Sequence, residues 1–537
     1  MSLFLLFVTF VVFVCIYLNK LSLRVGMPVL LAFILFGIVV GNNEYIGISF
    51  EDYAFAENAC SFALILIMFY GGFVSSWSSA RKVVTEAGLL ATAGVILTAA
   101  ITGVLCHFLL HWNWIESLLL GSVVSSTDAA SVFSILRSRR LNLKNNTAPL
   151  LEIESGANDP CSFMLTTIML SIMYGSVSVG HVAWMTFAQL FFGLAAGLVI
   201  AQGALFILRR VKLSSGFDSL FILAVAVFAY ALPDTIGGNG YLSTYIVGII
   251  LGNKNFSNKK NLMHFFDGMT SMMQILIFFM LGLLARPAML AKSIIPALVL
   301  FAVMFFVSRP LACGAILTPF KKYGFKQQML VSFVGLRGAS SIVFAIVATV
   351  GNDLLANDIF STVFCIVLLS ISLQGTFLPL VAKKLNMIDK NGNVLRTFND
   401  FSDETNMQFS EVLITSASSW KGKTVQEIAI PKNLLFCQLI RANGDRVMPK
   451  GLTLVEEGDR LILCSKAVTG DGIIDITEEW IDQDSKWAGV SIKEYPADRH
   501  QVILIKRANG HTLIPHGDTI LQAGDVLYIN KNIQFKK

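Results

Sequence analysis

Charge is scarce in this 537-residue chain: 14% of its residues are Asp, Glu, Lys or Arg and 55% are hydrophobic, with a mean hydropathy of +0.67. That balance excludes a wholly water-soluble fold, because apolar runs of about 15–25 residues recur from Met1 to about Leu385 and mark a polytopic membrane protein. Cysteine is thin and scattered. The eight residues, at 15, 60, 106, 161, 313, 365, 437 and 464, form no C-x-x-C and have no histidine at ligand spacing, which excludes a zinc site or a disulfide framework readable from sequence. G-x-S-x-G, H-E-x-x-H and P-loop motifs are missing too, so the chain does not read as an enzyme. Met1 to Leu18 lacks a basic n-region and a small-residue cleavage site, and reads as a first helix and not as a removed signal peptide.

The charge that is present lies unevenly. About half of the 41 basic and 35 acidic residues follow Met387, so the last ~150 residues read as a separate soluble domain. Ahead of it, hydrophobic segments at roughly 2–18, 27–41, 57–73, 86–110, 117–136, 149–174, 182–208, 217–232, 239–252, 266–285, 293–316, 327–350 and 356–382 predict about thirteen transmembrane helices. Basic residues sort by loop: Lys20 and Arg24; Arg81 and Lys82; Arg137, Arg139, Arg140 and Lys144; Arg209, Arg210 and Lys212; Lys254, Lys259 and Lys260; Lys321, Lys322 and Lys326; Lys383 and Lys384. All follow odd-numbered segments. The other loops carry acids or nothing, and only Arg286 and Lys292 run against the pattern. The positive-inside rule then predicts the N-terminus outside and the C-terminal domain in the cytoplasm, ends that an odd helix count reconciles.

Three stretches place polar chemistry inside apolar segments, where an ionised side chain costs about 2.5–3.5 kcal/mol and so marks function by default. In "LLEIESGANDPCSF", Leu150 to Phe163, a helix puts Ser155 and Asp159 on one face and Glu154 and Asn158 on the adjacent one. Pro160 has no N–H and pushes on the carbonyl of Gly156, which frees backbone oxygens near Asp159. Carboxylate, hydroxyl and spare carbonyls suit a dehydrated alkali cation; the bland alternative is a carboxylate satisfied by a basic partner. In "SVVSSTDAASVFS", Ser122 to Ser134, the polar run predicts a broken helix with Asp128 near the start of its second half, where it caps that half, lines a pathway, or does both. "FVGLRGASSIVFA", Phe333 to Ala345, interrupts a later segment in the same manner. Two broken helices in corresponding places are the sequence mark of an inverted-repeat transporter with a midplane site. Arg337 and Arg309 are then buried cations, with Glu154 the expected partner in a structural ion pair.

The tail repeats itself. "WKGKTVQE" (420–427) returns as "WAGVSIKE" (487–494), and "IRANGDRVMPKGLTLVEEGDRLIL" (440–463) returns as "KRANGHTLIPHGDTILQAGDVLYI" (506–529). Each copy has an alternating apolar run ending in Asn-Gly, then a turn at Gly458-Asp459 or Gly524-Asp525 before another strand. The expected layout is a transmembrane domain over 1–385, a linker over 386–405, and two β-rich repeats over 406–480 and 481–537 that together make a small α+β regulatory domain.

On "STDAASV" (Ser126 to Val132), "ESGANDP" (Glu154 to Pro160), "SRP" (Ser308 to Pro310) and "GLRGASS" (Gly335 to Ser341), nearly the whole membrane part resembles the monovalent cation:proton antiporters, in the NhaP-like branch that includes animal sodium/proton exchangers. The resemblance implies Asp159 as the residue that binds cation and proton in turn, Thr127 and Ser155 as helpers, and Asn158 as a structural neighbour. It also implies Glu154 with an arginine as the pair that holds the broken-helix core, and electroneutral exchange, because Asn and not Asp precedes Asp159. One departure stands out: "MFYGGF", Met68 to Phe73, has Tyr70 where many sodium-type relatives carry an acid, which leaves room for potassium. The tail repeats resemble the TrkA-C, or RCK C-terminal, ligand-binding module, without the G-x-G-x-x-G of its usual dinucleotide-binding companion.

One carboxylate suffices for exchange if it takes either a proton or a cation and the protein switches sides only when it is occupied, by rigid-body movement of a core against a scaffold. The expected function is antiport of a monovalent cation, K+ favoured over Na+, against H+ in a cell membrane, the bacterial inner membrane. The expected form is a homodimer in contact with lipid, with no nucleic acid. The tail is expected to take a small anionic ligand, a nucleotide or cyclic dinucleotide, whose phosphates Arg441, Arg507, His511 and His516 could meet; alternatively the two arginines are solvated strand ends. No other cofactor is expected. The competing reading is a potassium channel or uptake subunit under the same tail, but a channel filter needs a T-V-G-Y-G-like run and none is present.

Overall fold

Backbone polar groups in a lipid environment have to be satisfied within the segment itself, and the apolar segments up to Lys384 are accordingly helical. The computed structural model describes residues 2–25, 28–41, 50, 52–138, 141–175, 178–211, 216–254, 259–389, 407–416, 418–430, 434–466, 476–482, 485–495, 501–508, 512–513 and 515–530. Two units separate, Met1–Ser402 and Asp403–Lys537. In the first, helical segments run over Ser2–Val25, Val29–Gly41, Tyr53–Val74, Val84–Leu110, Thr147–Tyr174, Val179–Arg210, Phe217–Thr235, Gly240–Gly252, Lys259–Leu284, Pro287–Leu317 and Ile359–Lys384. Two further segments are each split, into Trp114–Val123 with Ala129–Ser138 and Phe325–Phe333 with Ala339–Thr349. Seven helices among the described residues are long and apolar enough to cross a membrane by length and composition. Others, such as Val29–Gly41 and Gly240–Gly252 at 13 residues each, fall short of the ~20 that span a bilayer unaided.

Small residues let these helices approach backbone to backbone, as membrane helices require when no hydrophobic effect drives them together. A Cβ at Gly252 would lie 1.9 Å from the Phe73 carbonyl oxygen and one at Gly248 2.3 Å from that of Phe69, so Tyr53–Val74 and Gly240–Gly252 touch along their main chains. Wider π turns at Leu90–Gly94, Met304–Ser308 and Ser370–Gly375 interrupt three of the long helices. The second lies in the turn before Pro310, whose missing N–H loosens it.

The expected linker starts later than its boundary suggests. The Lys144 N–H donates to the Met387 carbonyl at 2.8 Å, Leu143 bridges Ile388, and the Asp389 N–H donates to the Asn142 carbonyl at 2.9 Å, so residues 387–389 are fastened to the helical unit by backbone pairing. Residues 390–405 of that linker lie outside the described residues.

In the second unit, β1 (Met407–Leu413), β2 (Leu434–Ile440), β3 (Arg446–Val447) and β4 (Arg460–Lys466) form an antiparallel sheet in the order β1-β4-β2-β3. The strands β5 (Ile476–Trp480), β6 (Gln501–Lys506), β7 (Thr512–Leu513) and β8 (Val526–Asn530) repeat it as β5-β8-β6-β7. A β-bulge falls at the same place in both copies, between Phe436 and Gln438 and between Val502 and Leu504. Gly444, Gly458 and Gly524 take positive φ of 92°, 84° and 85° at the expected turns. Because β5 belongs to the second sheet, that repeat begins ahead of 481: Trp480 precedes Trp487 as Leu413 precedes Trp420. The helical content expected of the tail shrinks, among the described residues, to one 3₁₀ turn at Val425–Glu427, and this is a small β domain.

Candidate functional site

Breaking a helix exposes backbone groups that need partners, and here the two broken helices supply them to each other. The unwound residues after Val123 cross those after Phe333, and the Asp128 N–H donates to the Leu336 carbonyl at 2.8 Å. Gly338 permits this approach, since a Cβ there would fall inside the Asp128 carboxylate. Asp128 accepts from the Ser131 N–H at 3.1 Å and from the Ser131 hydroxyl, which caps Ala129–Ser138, and its side chain also lines a cavity.

The two buried arginines have separate duties. Arg309 Nη2 lies 2.6 Å from Glu154 Oε1, with side chains 3% and 1% exposed. Arg337, expected in the same pair, instead donates from Nη1 to the carbonyls of Ser125 and Ser126 at 2.8 and 2.5 Å, while its N–H donates to Ser370 Oγ at 2.9 Å. The physical reason is the break: the carbonyls at the end of Trp114–Val123 have no helical donors, and a cation there also complements the helix dipole.

Asp159 sits at the crossing, buried. The Ser126 hydroxyl donates to its Oδ1, and Ser126 Oγ lies 2.7 Å from Ser340 Oγ, so each broken helix sends one serine towards the carboxylate. The Ser155 hydroxyl donates to the Thr127 carbonyl at 2.5 Å and Asn158 Nδ2 to Thr127 Oγ1 at 2.6 Å. Ser155 and Asn158 thus grip the unwound strand next to Asp159. Thr147–Tyr174 continues as helix through Pro160, with the Tyr245 ring against Gly156, where a Cβ would come within 2.3 Å of a ring carbon.

A cavity of about 320 Å³ opens against Asp159, Ser155, Gly156 and Asp128 on one side and Tyr70, Tyr245, Asp267, Thr270 and Gln274 on the other. The Tyr70 hydroxyl donates to Asp267 Oδ1 at 3.0 Å. Thr270 Oγ1 is buried without a hydrogen-bond partner among the described residues. Asp267 escaped the sequence reading because it stands at the edge of the segment expected over 266–285. A signal existed, since Asp267, Thr270, Ser271 and Gln274 recur at i, i+3, i+4 and i+7 and draw a polar stripe on an apolar helix. Ser126 in STDAASV and Ser340 in GLRGASS have no sequence feature that separates them from their serine neighbours.

In the tail, Arg441 Nη1 lies 2.7 Å from Asp459 Oδ2 and Arg507 Nη1 2.6 Å from Asp525 Oδ2, both carboxylates 1% exposed. The same oxygens accept the Glu456 and Gln522 N–H at 2.8 Å. These arginines are not solvated strand ends: they staple the two Gly-Asp turns, because a buried carboxylate needs a cation. His516 is exposed, and His511 lies outside the described residues.

The sodium/hydrogen exchanger transmembrane family model matches residues 9–384, and the TrkA-C domain matches residues 409–468 and 476–530. The chain is 34% identical over 460 residues to the K(+)/H(+) antiporter NhaP2 of Shewanella oneidensis, covering 84% of this chain and 79% of that one. It is 32% identical over 456 residues to the K(+)/H(+) antiporter NhaP of Alkalimonas amylolytica, with the same coverage. The solved structure of the sodium proton antiporter MjNhaP1 from Methanocaldococcus jannaschii at pH 8 superposes with a TM-score of 0.64 at 21% identity, covering 72% of this chain and 99% of that one, a likeness of fold.

Proposed function

The chain belongs to the sodium/hydrogen exchanger family and is a secondary active cation/proton antiporter with a TrkA-C-type regulatory tail, and from that premise we propose that K+ and H+ compete for one carboxylate, Asp159. The observation that carries the reading is its position, where both unwound stretches converge and the cavity ends. With a proton or a cation bound, the Asp159 carboxylate is neutralised. Empty, it holds a charge that is costly to carry through the apolar layer, so only loaded carriers switch sides. Asn158 adds no second charge beside it, which fits one K+ exchanged for one H+.

Potassium is favoured on two grounds. The relatives at 32–34% identity are named K(+)/H(+) antiporters. In addition, Tyr70 stands where an acid would serve smaller, more strongly hydrated Na+, and through its hydroxyl it presents Asp267 to the cavity from another helix. The finer arrangement we propose is an inverted repeat of thirteen spans with the N-terminus outside and the tail in the cytoplasm, a homodimer in the bacterial inner membrane. The body bearing the broken helices moves against the remainder to alternate access. The tail would take a nucleotide or cyclic dinucleotide, with the exposed His516 among its contacts.

The test is exchange by the full chain in proteoliposomes with the membrane potential clamped. K+-driven proton movement that persists under the clamp and vanishes in Asp159→Asn supports the reading. K+ conductance without proton flux would favour the channel, and full-rate exchange by Asp159→Asn would remove Asp159 from the mechanism.

A further inference from the structure

We propose that Asn239 is a latch that keeps Asp159 open to the cavity, and that with the aromatic layer around Tyr241 it forms the gate that must part before the ion can leave on the opposite side. The proposal rests on the alternating-access reading of Asp159.

Two helices give the direction. On Thr147–Tyr174, Ser155, Gly156 and Asp159 line the cavity, and the turn beyond them carries Pro160 and Phe163. On Gly240–Gly252, Tyr245 lines the cavity, the turn before it carries Tyr241, and Asn239 caps the start of the helix. The gate layer therefore lies about one helical turn, ~5 Å, past Asp159. It is closed by packing. Phe163 meets Tyr241 edge-on at 4.9 Å between ring centroids and lies 5.5 Å from Phe344, and Tyr230 meets Tyr241 edge-on at 4.9 Å.

Hydrogen bonds hold the layer shut. Asn239 Nδ2 donates to the Pro160 carbonyl at 2.8 Å, linking the Asp159 helix to its neighbour within a site where Asn239 is 1% exposed. One step further, Gln189 Nε2 donates to Thr167 Oγ1 at 3.0 Å, and the Asn239 N–H donates to the Gln189 carbonyl at 3.0 Å. Both side-chain links are neutral amides. Such bonds are strong enough to bias an equilibrium between two access states and weak enough to break in every cycle, whereas a buried ion pair would lock the carrier. Asn239 Oδ1 separately accepts the Leu242 N–H at 3.0 Å as a helix cap.

Asn239→Ser separates the two roles, because serine keeps a capping oxygen but has no amide to reach Pro160. Loss of one such bond should shift the access equilibrium about three- to tenfold. In vesicles of defined sidedness, the apparent KM for K+ should rise on the cavity side and fall on the opposite side. A change of both in the same direction, or of maximal rate alone, overturns the latch. As an independent measurement, Phe163→Cys/Tyr241→Cys is oxidised to a cross-link with the wild type under the same oxidant as control. Exchange should stop and return on reduction; undiminished exchange by the cross-linked carrier overturns the gate. Asp159→Asn runs alongside: full-rate exchange there sinks the underlying reading, while a dead Asp159→Asn with no sided shift in Asn239→Ser sinks the latch alone.

Discussion

Glu154→Gln tests how the broken-helix core is held. The Arg309 and Glu154 side chains are almost wholly removed from solvent and 2.6 Å apart, and Arg309 Nε and Nη1 have no hydrogen-bond partner among the described residues. Arg337, a second buried cation, lines the same small void as Arg309. The Glu154 carboxylate is thus the charge that offsets the Arg309 guanidinium. Replacing it with an amide of the same shape removes the charge and little else. Stranding one member of a buried ion pair costs about 3–5 kcal/mol, a large part of the ~5–15 kcal/mol that holds a typical protein folded. The assay is thermal unfolding of the purified full chain, followed by tryptophan fluorescence, with exchange measured in parallel. Glu154→Gln should unfold at a clearly lower temperature. Glu154→Leu/Arg309→Met, which removes both charges, should recover most of that loss. A single variant as stable as the wild type, or a pair replacement less stable than the single one, would refute the reasoning.

Asp267→Asn should raise the apparent KM for K+ about two- to fivefold with the maximal rate preserved, since it removes an exposed charge at the cavity and leaves Asp159 in place; Tyr70→Phe should move KM the same way by less, and K+ titration of exchange checks both. Gly156→Ala drives a methyl into the Tyr245 ring and should cost about 1–3 kcal/mol and most of the exchange, with Tyr245→Leu in the same chain restoring part of it. In the tail, Glu427 is held below the usual carboxylate range, first by the Thr424 N–H donated to it at 2.8 Å. A depressed folded value means that its contribution is complete above the ordinary range of about 4.3 and fades as pH falls through that lower value. Glu427→Gln should therefore make the tail more protease-sensitive at neutral pH, with the gap closing in acid.

The apolar segments and both helix breaks were legible because each is local: length and hydropathy mark a span, and a run such as Ser125-Ser126-Thr127-Asp128 cannot remain helical there without compensation. Asp159 was legible for the same reason, as an acid where acids are expensive. What stayed hidden depends on pairing across the fold. Nothing local assigns Glu154 to Arg309 and the carbonyls of Ser125 and Ser126 to Arg337, since both arginines are buried cations in similar surroundings. Asp267 was hidden by its place at a segment end, where acids are ordinary, and it takes the fold to bring it to the cavity beside the Tyr70 hydroxyl. The duplicated tail shows the converse. Its Arg and Asp recur at equal spacing, 441 with 459 and 507 with 525, and that shared spacing was itself the hint of a staple inside each copy.

Asp128 bonded to Leu336, Gly338 seated on the Asp128 carboxylate and Arg337 clasping two carbonyls leave the crossing no slack. Cargo at Asp159 cannot be handed over by the swing of one side chain or the flexing of one strand. On the alternating-access reading proposed for Asp159, it has to ride with a whole slab of helices, so turnover would inherit the friction of that slab against lipid. A stiffer bilayer should then slow this carrier even when its ion affinities are unchanged.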